Sequence, residues 1–400
     1  MEKRLFIFST NNYKKTIMKK KLLTKMMLLL CALVAGSESV WADDYYVKVT
    51  AAGDINTNST YIIVAEGANV ALGTWSSGKS IPPVSVTISS STITVASNAD
   101  NKPQEIVLEE VTVSNTKYHV IKHANEAKYL QGASSATDLK AADSYNTDAS
   151  KWTIGINSNE ARMFNKKQTS NAIIFRRGDT YNYFKNFNSS NVNNTEYFYG
   201  VLYKKVVASF GAEKTMISYS CINGALDFTD AKRPSGLKAY QVTAANATSV
   251  TLEEVTSTVA KNTGLILTGT AETTYNIPVV ASGTDISGTN LLVATDGTST
   301  VSDAAVLSGG AFHPLSEAGV IAAGKAYLPY ANITGGDPFA GGAPALSIVF
   351  GGSETTDVNE KVILKGEKFA TAPIYNLAGQ RVAQPKKGLY IVNGKKVVIK

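Results

Sequence analysis

The chain has 400 residues, of which 39 are Lys or Arg and 32 are Asp or Glu, and 44% are hydrophobic, a balance that suits packed globular cores. Eight of the basic and two of the acidic side chains fall in the first 42 residues, so the rest carries 31 against 30 and is nearly neutral. That neutrality removes the electrostatic basis for a nucleic-acid or anionic-membrane partner, and the length is enough for two or three ordinary domains.

The basic residues, from Lys3 and Arg4 through Lys19-Lys20-Lys21 to Lys25, lead into an uninterrupted apolar run at 26–35, then Val40-Trp41-Ala42 before Asp43-Asp44. This order predicts a secretory signal peptide over residues 1–42, with Met18 as an alternative start. A membrane helix needs roughly 20 apolar residues, which this run lacks. Leu28-Leu29-Leu30 ahead of Cys31 also lacks the small residues of a lipid-attachment motif. Once Cys31 is removed, Cys221 stands alone, so no internal disulfide can form, and it reads as a buried small hydrophobe.

From Tyr45 onward, short runs such as Tyr61-Ile62-Ile63-Val64 and residues 84–95 and 106–113 are rich in Val, Ile, Thr and Tyr and are broken by turn residues. The expectation is an all-β protein with two sandwich-like or barrel-like domains at 43–205 and 206–350, a linker at 351–356, and a small C-terminal β-sandwich module at 357–400. The segment LEEVT occurs at 108–112 and 252–256, but its flanks do not align, so it reads as shared strand composition.

Several segments imitate functional motifs. Asp54-Ile55-Asn56-Thr57-Asn58 opens like a calcium loop but has Ser59 for the required glycine and Ala65 for the bidentate glutamate, so a turn is expected. Gly73 to Ser80 fits the phosphate-loop spacing G-x-x-x-x-G-K-S, yet it runs into Ile81-Pro82-Pro83 and a strand pattern where a helix is needed. A glycine- and serine-rich hairpin turn with no nucleotide is expected there. His119 and His123 lie four apart on a strand, and the third histidine, His313, is in the other large domain, which predicts no metal site. Glu109-Glu110 and Glu253-Glu254 are adjacent on strands and point to opposite faces, so neither pair can flank one glycosidic bond. No cofactor and no catalytic residue is implied.

Eight aromatic residues crowd positions 181–203 among many asparagines: Tyr181, Tyr183, Phe184, Phe187, Tyr197, Phe198, Tyr199 and Tyr203. Exposed aromatic faces beside amides can stack on sugar rings, which makes Tyr181, Tyr183, Phe184, Tyr197 and Tyr199 the candidate ligand-binding residues. The competing reading places alternate aromatics of closing strands in the core.

The large domains resemble modules of secreted and surface proteins of the Bacteroidetes. The similar patches include Thr60-Tyr61-Ile62-Ile63-Val64 and Leu202-Tyr203-Lys204 in the first, and Asn262-Thr263-Gly264-Leu265-Ile266-Leu267 in the second. The C-terminal runs Ile374-Tyr375-Asn376-Leu377-Ala378-Gly379, Lys387-Gly388-Leu389-Tyr390 and Asn393-Gly394 through Lys400 are similar to the type A sorting domain of type IX secretion. The resemblance makes Tyr375, Asn376, Gly379, Gly388, Tyr390, Gly394 and Lys400 the sorting motif and the secretion machinery a partner; the alternative role is a structural cap. Asn393-Gly394 predicts a two-residue hairpin that sets Tyr390 opposite Val397 and Leu389 opposite Val398.

Together these features predict a noncatalytic protein exported to the cell surface or the medium, acting in adhesion or binding an extracellular glycan or a surface protein. The alternative expectation is a secreted glycan hydrolase built from scattered acidic residues.

Overall fold

The computed structural model describes residues 43–57, 59–132, 138–351, 374–376, 381–382, 388–392 and 395–399. The expected signal peptide, the linker beyond Gly351, and Gly379, Gly394 and Lys400 lie outside the described residues. The fold is all-β, with antiparallel sheets, short 3-10 turns and no α-helix among the described residues. Two compact units divide at Val349 and Phe350.

The strands between Asp44 and Lys205 share one hydrogen-bonded sheet, and six of them close on themselves. Thr60–Ala65 pairs with Ile106–Val113, which pairs with Thr116–His123, then Lys151–Asn157, then Glu160–Asn165. Val201–Lys205 joins back to Thr60–Ala65 and, through Arg162 opposite Val201, to Glu160–Asn165. Closure satisfies the edge hydrogen bonds that an open sheet leaves exposed.

Three hairpins cap this barrel: Val70–Leu72 with Pro83–Ser85, Tyr129–Gly132 with Leu139–Ala142, and Asn171–Arg176 with Tyr183–Asn188. The caps bond to one another through Ile81 and Phe184, which exchange main-chain hydrogen bonds, and through Ala141 N–H on the Ser76 carbonyl at 2.9 Å. Strand, hairpin, strand, repeated three times around a six-stranded barrel, is the β-trefoil arrangement. Two barrel turns are set by Ser114-Asn115 and Ser158-Asn159, all four at positive φ, as tight hairpins require. Trp152, Tyr61, Leu72, Ile81, Phe175 and Phe184 fill the interior without exposure.

Beyond residue 205 a five-stranded sheet is covered on both faces. Its strands include Lys238–Ala245, Ser249–Val255 and Leu265–Thr268. Ala239, Val255, Leu265 and Leu267 pack with Leu226 and Val259 of a three-stranded sheet on one side. Tyr240, Val242, Leu252 and Ile266 pack with Ala305, Phe312 and Leu328 on the other. Burial on two faces explains why Leu265-Ile266-Leu267 reads as a continuous apolar run instead of alternating. The sandwich-like or barrel-like domain expected at 206–350 is a stack of three layers here. Val47 sits in the first of these cores although its strand belongs to the preceding sheet, so apolar packing as well as the chain joins the two lobes.

In the second unit, Ile374–Tyr375, Gly388–Val392 and Lys395–Ile399 form a three-stranded antiparallel sheet. Tyr390 lies opposite Val397 and Leu389 opposite Val398, the register expected from the sequence.

Candidate functional site

The third cap hairpin carries the aromatic cluster. Asn171–Arg176 is the middle strand of three, with Tyr183–Asn188 on one side and Tyr197–Tyr199 on the other. Period-two alternation then sorts the side chains into two rows. Phe184, Phe175 and Phe198 form the inward row; all three are buried, and the Phe175 and Phe184 rings are 5.1 Å apart. Phe184 is therefore removed from the ligand-binding candidates: it has no exposed face, being a wall of the barrel core.

Tyr183, Arg176 and Tyr197 form the outward row, in register across the three strands. The Arg176 guanidinium stacks 4.1 Å from the centre of the Tyr181 ring and 5.3 Å from that of Tyr197, while its Nε donates to Glu196 Oε1 at 2.8 Å. Tyr181 meets Tyr183 edge-on at 5.9 Å and is 44% exposed, which leaves ring surface open to solvent. Phe187 meets Tyr197 edge-on at 5.4 Å, and Lys185 Nζ lies 4.9 Å from the Tyr183 ring. Tyr199 takes a different partner, with Arg162 at 4.0 Å from its ring centre. Each such cation–aromatic contact contributes about 0.5–1 kcal/mol at an exposed site, so several around one Arg176 together bias the rings toward this arrangement.

The loop that delivers Tyr197 is organised by Asn193, whose side-chain carbonyl accepts the N–H groups of Thr195, Glu196 and Tyr197 at 3.0, 2.9 and 3.1 Å. Thus three of the five sequence candidates, Tyr181, Tyr183 and Tyr197, gather around Arg176, whereas Tyr199 is half-buried against Val201 and Tyr203. Arg176, Lys185 and Glu196 belong with them and were not singled out by the sequence. Position parity with Tyr183 and Tyr197 is the signal that would have found Arg176, but it requires the strand register.

The other motifs resolve locally. Gly73 to Ser80 is the loop of the first cap hairpin, closed by Gly73 N–H on the Pro82 carbonyl at 2.9 Å, and strand rather than helix follows. Asp54 is buried with its carboxylate on Lys204 Nζ at 3.3 Å and on the Asn223 amide, so it faces a cation and a donor. Glu109 and Glu110 pair with Lys122 at 2.9 Å and Lys117 at 3.0 Å, and Glu254 takes both Arg233 and Lys238. His123 is buried edge-on against Trp75 at 5.5 Å; His119 lies opposite Glu110 and Trp152. Cys221 is free and buried, and burial pushes its thiol up to about 11. No group of three or more His, Cys, Asp or Glu side chains among the described residues could hold a metal ion. Of the sorting motif, Tyr375, Gly388 and Tyr390 lie in strands, and Asn376 directly follows one.

No family model matches the chain, and the search of curated proteins finds no match. Among solved structures it is similar to a GlcNAcα1-4Gal-releasing endo-β-galactosidase from Clostridium perfringens, at 13% identity and a TM-score of 0.27. The match covers 37% of this chain and 33% of that one, and a likeness of that extent bears on neither fold nor activity here.

Proposed function

We propose that this is an exported, noncatalytic glycan-binding protein of the bacterial cell surface or its surroundings. The observation that carries the reading is the outward row of Tyr183, Arg176 and Tyr197 with the exposed Tyr181 beside it, biased toward one arrangement on a barrel cap. Rings preset in this way lose little conformational entropy when a pyranose stacks on them, while Lys185, Arg176 and Glu196 supply donors and acceptors for hydroxyls. Export rests on the charged and apolar leader with its Val40-Trp41-Ala42 end, and delivery to the surface rests on the C-terminal resemblance to a sorting domain. Glycan-array screening of the exported protein, followed by Tyr181→Ala, tests the reading. An array without signal, or binding indifferent to that substitution, counts against it.

One observation favours the alternative of a hydrolase. Glu66 and Glu160 converge on Lys48, at 2.7 and 3.3 Å, beside the Tyr199 platform. Both carboxylates are already engaged, Glu66 also by the Tyr203 hydroxyl and Glu160 by Arg162 at two nitrogens. A general acid must be protonated and free to reach its oxygen, so the binding reading is preferred. Release of reducing sugar that Glu160→Gln abolishes would reverse that preference.

A further inference from the structure

A cleft of about 540 Å³ lies between the trefoil lobe and the layered lobe, and none of the aromatic-row residues lines it. Its size is within the range of small-molecule sites, about 300–1,000 Å³, which also favour interfaces of this kind. One wall is apolar, with Val206, Ile217 and Tyr219; the trefoil side contributes Asp54 and Lys204. Those two charges neutralise each other at 3.3 Å, and the Asn223 amide that also holds Asp54 is fixed by the Thr50 hydroxyl at 2.6 Å. Lys205 is likewise occupied, by Asp44 at 2.7 Å and Glu105 at 2.6 Å.

Lys325 is different. It lines the same cleft, is solvent-exposed, and pairs with no carboxylate among the described residues. Surrounding protein lowers its pKa first and the positive charge of Lys214 second, with no opposing carboxylate nearby. The turn that presents it is rigid: its own carbonyl accepts the Ser220 and Thr295 hydroxyls at 3.0 and 3.1 Å, and the Gly324 carbonyl accepts Ser220 N–H at 3.0 Å. The cleft is therefore lined by a cation that pairs with no carboxylate, on a main chain held in place, together with the apolar side chains of Ile217 and Tyr219.

We propose that this cleft is a second binding site, for an acidic saccharide whose carboxylate or sulfate rests on Lys325 and whose ring lies against Ile217 and Tyr219. The anion site stands on the charge balance alone; only the saccharide class rests on the glycan reading above. An exposed ammonium gains little from an ion pair in open water, but partial enclosure by the cleft and the second cation at Lys214 both strengthen the attraction.

Calorimetry on the full exported protein at low salt tests this with sodium glucuronate, N-acetylneuraminate, N-acetylglucosamine 6-sulfate, glucose and sodium sulfate. The acidic sugars are expected to bind and glucose not. Lys325→Met is expected to weaken them about tenfold, and Lys325→Arg to keep them within about threefold, because the arginine retains the charge. Lys117→Ala, on an exposed barrel ion pair outside both the cleft and the aromatic row, should leave their affinity unchanged, and melting curves should show each variant folded. Carboxylated sugars binding without the sulfated one, or the reverse, identifies which anion the site takes. The inference fails if no acidic sugar binds, or if Lys325→Met has no effect. Loss in Tyr181→Ala with Lys325→Met silent would move the acidic sugar to the aromatic row, sinking the cleft site while sparing the glycan reading. Sulfate binding as tightly as the sugars would overturn the saccharide assignment.

Discussion

The indole N–H of Trp152 is donated to the main-chain carbonyl of Leu130 at 3.1 Å, which ties a barrel strand to the second cap hairpin. Trp152 is fully buried in the trefoil core, so its removal combines a large cavity with a lost anchor. Trp152→Ala is expected to cost about 3–5 kcal/mol, measured by urea unfolding followed by far-UV circular dichroism. A cost under about 1 kcal/mol would mean that the caps do not depend on this contact.

The rows of the third cap predict opposite consequences for neighbouring residues. Tyr181→Ala should leave the melting temperature near that of the wild type and cost about 1–3 kcal/mol in glycan affinity, the range for a hot-spot ring. Phe184→Ala should cost about 3–5 kcal/mol of stability, because its ring is buried against Phe175. Equal destabilisation by both would assign Tyr181 to the core instead of the binding surface.

Much of this was legible from local pattern. Apolar runs located the strands, and the Asn393-Gly394 hairpin signal anticipated the register found between Gly388–Val392 and Lys395–Ile399. Parity separated Phe184 from Tyr183 only once the strand partners were known, which is why the sequence grouped them. Barrel closure was not legible, since it rests on Arg162 meeting Val201, and neither residue carries a mark of the other. The cleft is harder still, because Asp54, Lys204, Asn223 and Lys325 come together only through the docking of two lobes. LEEVT shows the reverse failure: the same letters serve a barrel strand and the middle sheet of a three-layer stack.

His119 predicts a pH dependence. Burial lowers its pKa from the ordinary 6.5, with Glu110 opposing and Lys117 assisting. The unfolded chain therefore takes up a proton that the folded one resists, so stability is full above 6.5 and declines as pH falls below it. Chemical denaturation between about pH 7.5 and 5.5 should show a smaller decline in His119→Gln than in the wild type. Parallel slopes would mean that the decline arises from other groups.

Cys221 should resist thiol reagents. With its pKa pushed up to about 11 and its sulfur buried, little thiolate is present at neutral pH and little of that is accessible. The mature protein is expected to react negligibly with a disulfide reagent at about pH 8 until denaturant is added, and then to release about one equivalent. Full reaction in the native state would require the 221–223 segment to open, and with it the wall of the cleft.

The tail supplies the last prediction. The first compact unit ends at Val349, and the Gly388–Val392 and Lys395–Ile399 strands pair within the second unit. Deleting residues 357–400 should therefore change the melting temperature of the body by no more than about 2 °C, the shift that about 0.5 kcal/mol produces in a body of this size. On the proposed reading of residues 1–42 as a signal peptide, in a host with type IX secretion that leader alone would deliver the chain only across the inner membrane. The truncated protein should then accumulate, folded, in the periplasm, with its surface signal lost; fractionation and surface labelling read this directly. Normal surface display without the tail would sink the sorting role, and collapse of the body would make the module a structural cap. A folded body retained in the periplasm is the one combination that requires the C-terminal strands to act as an export signal.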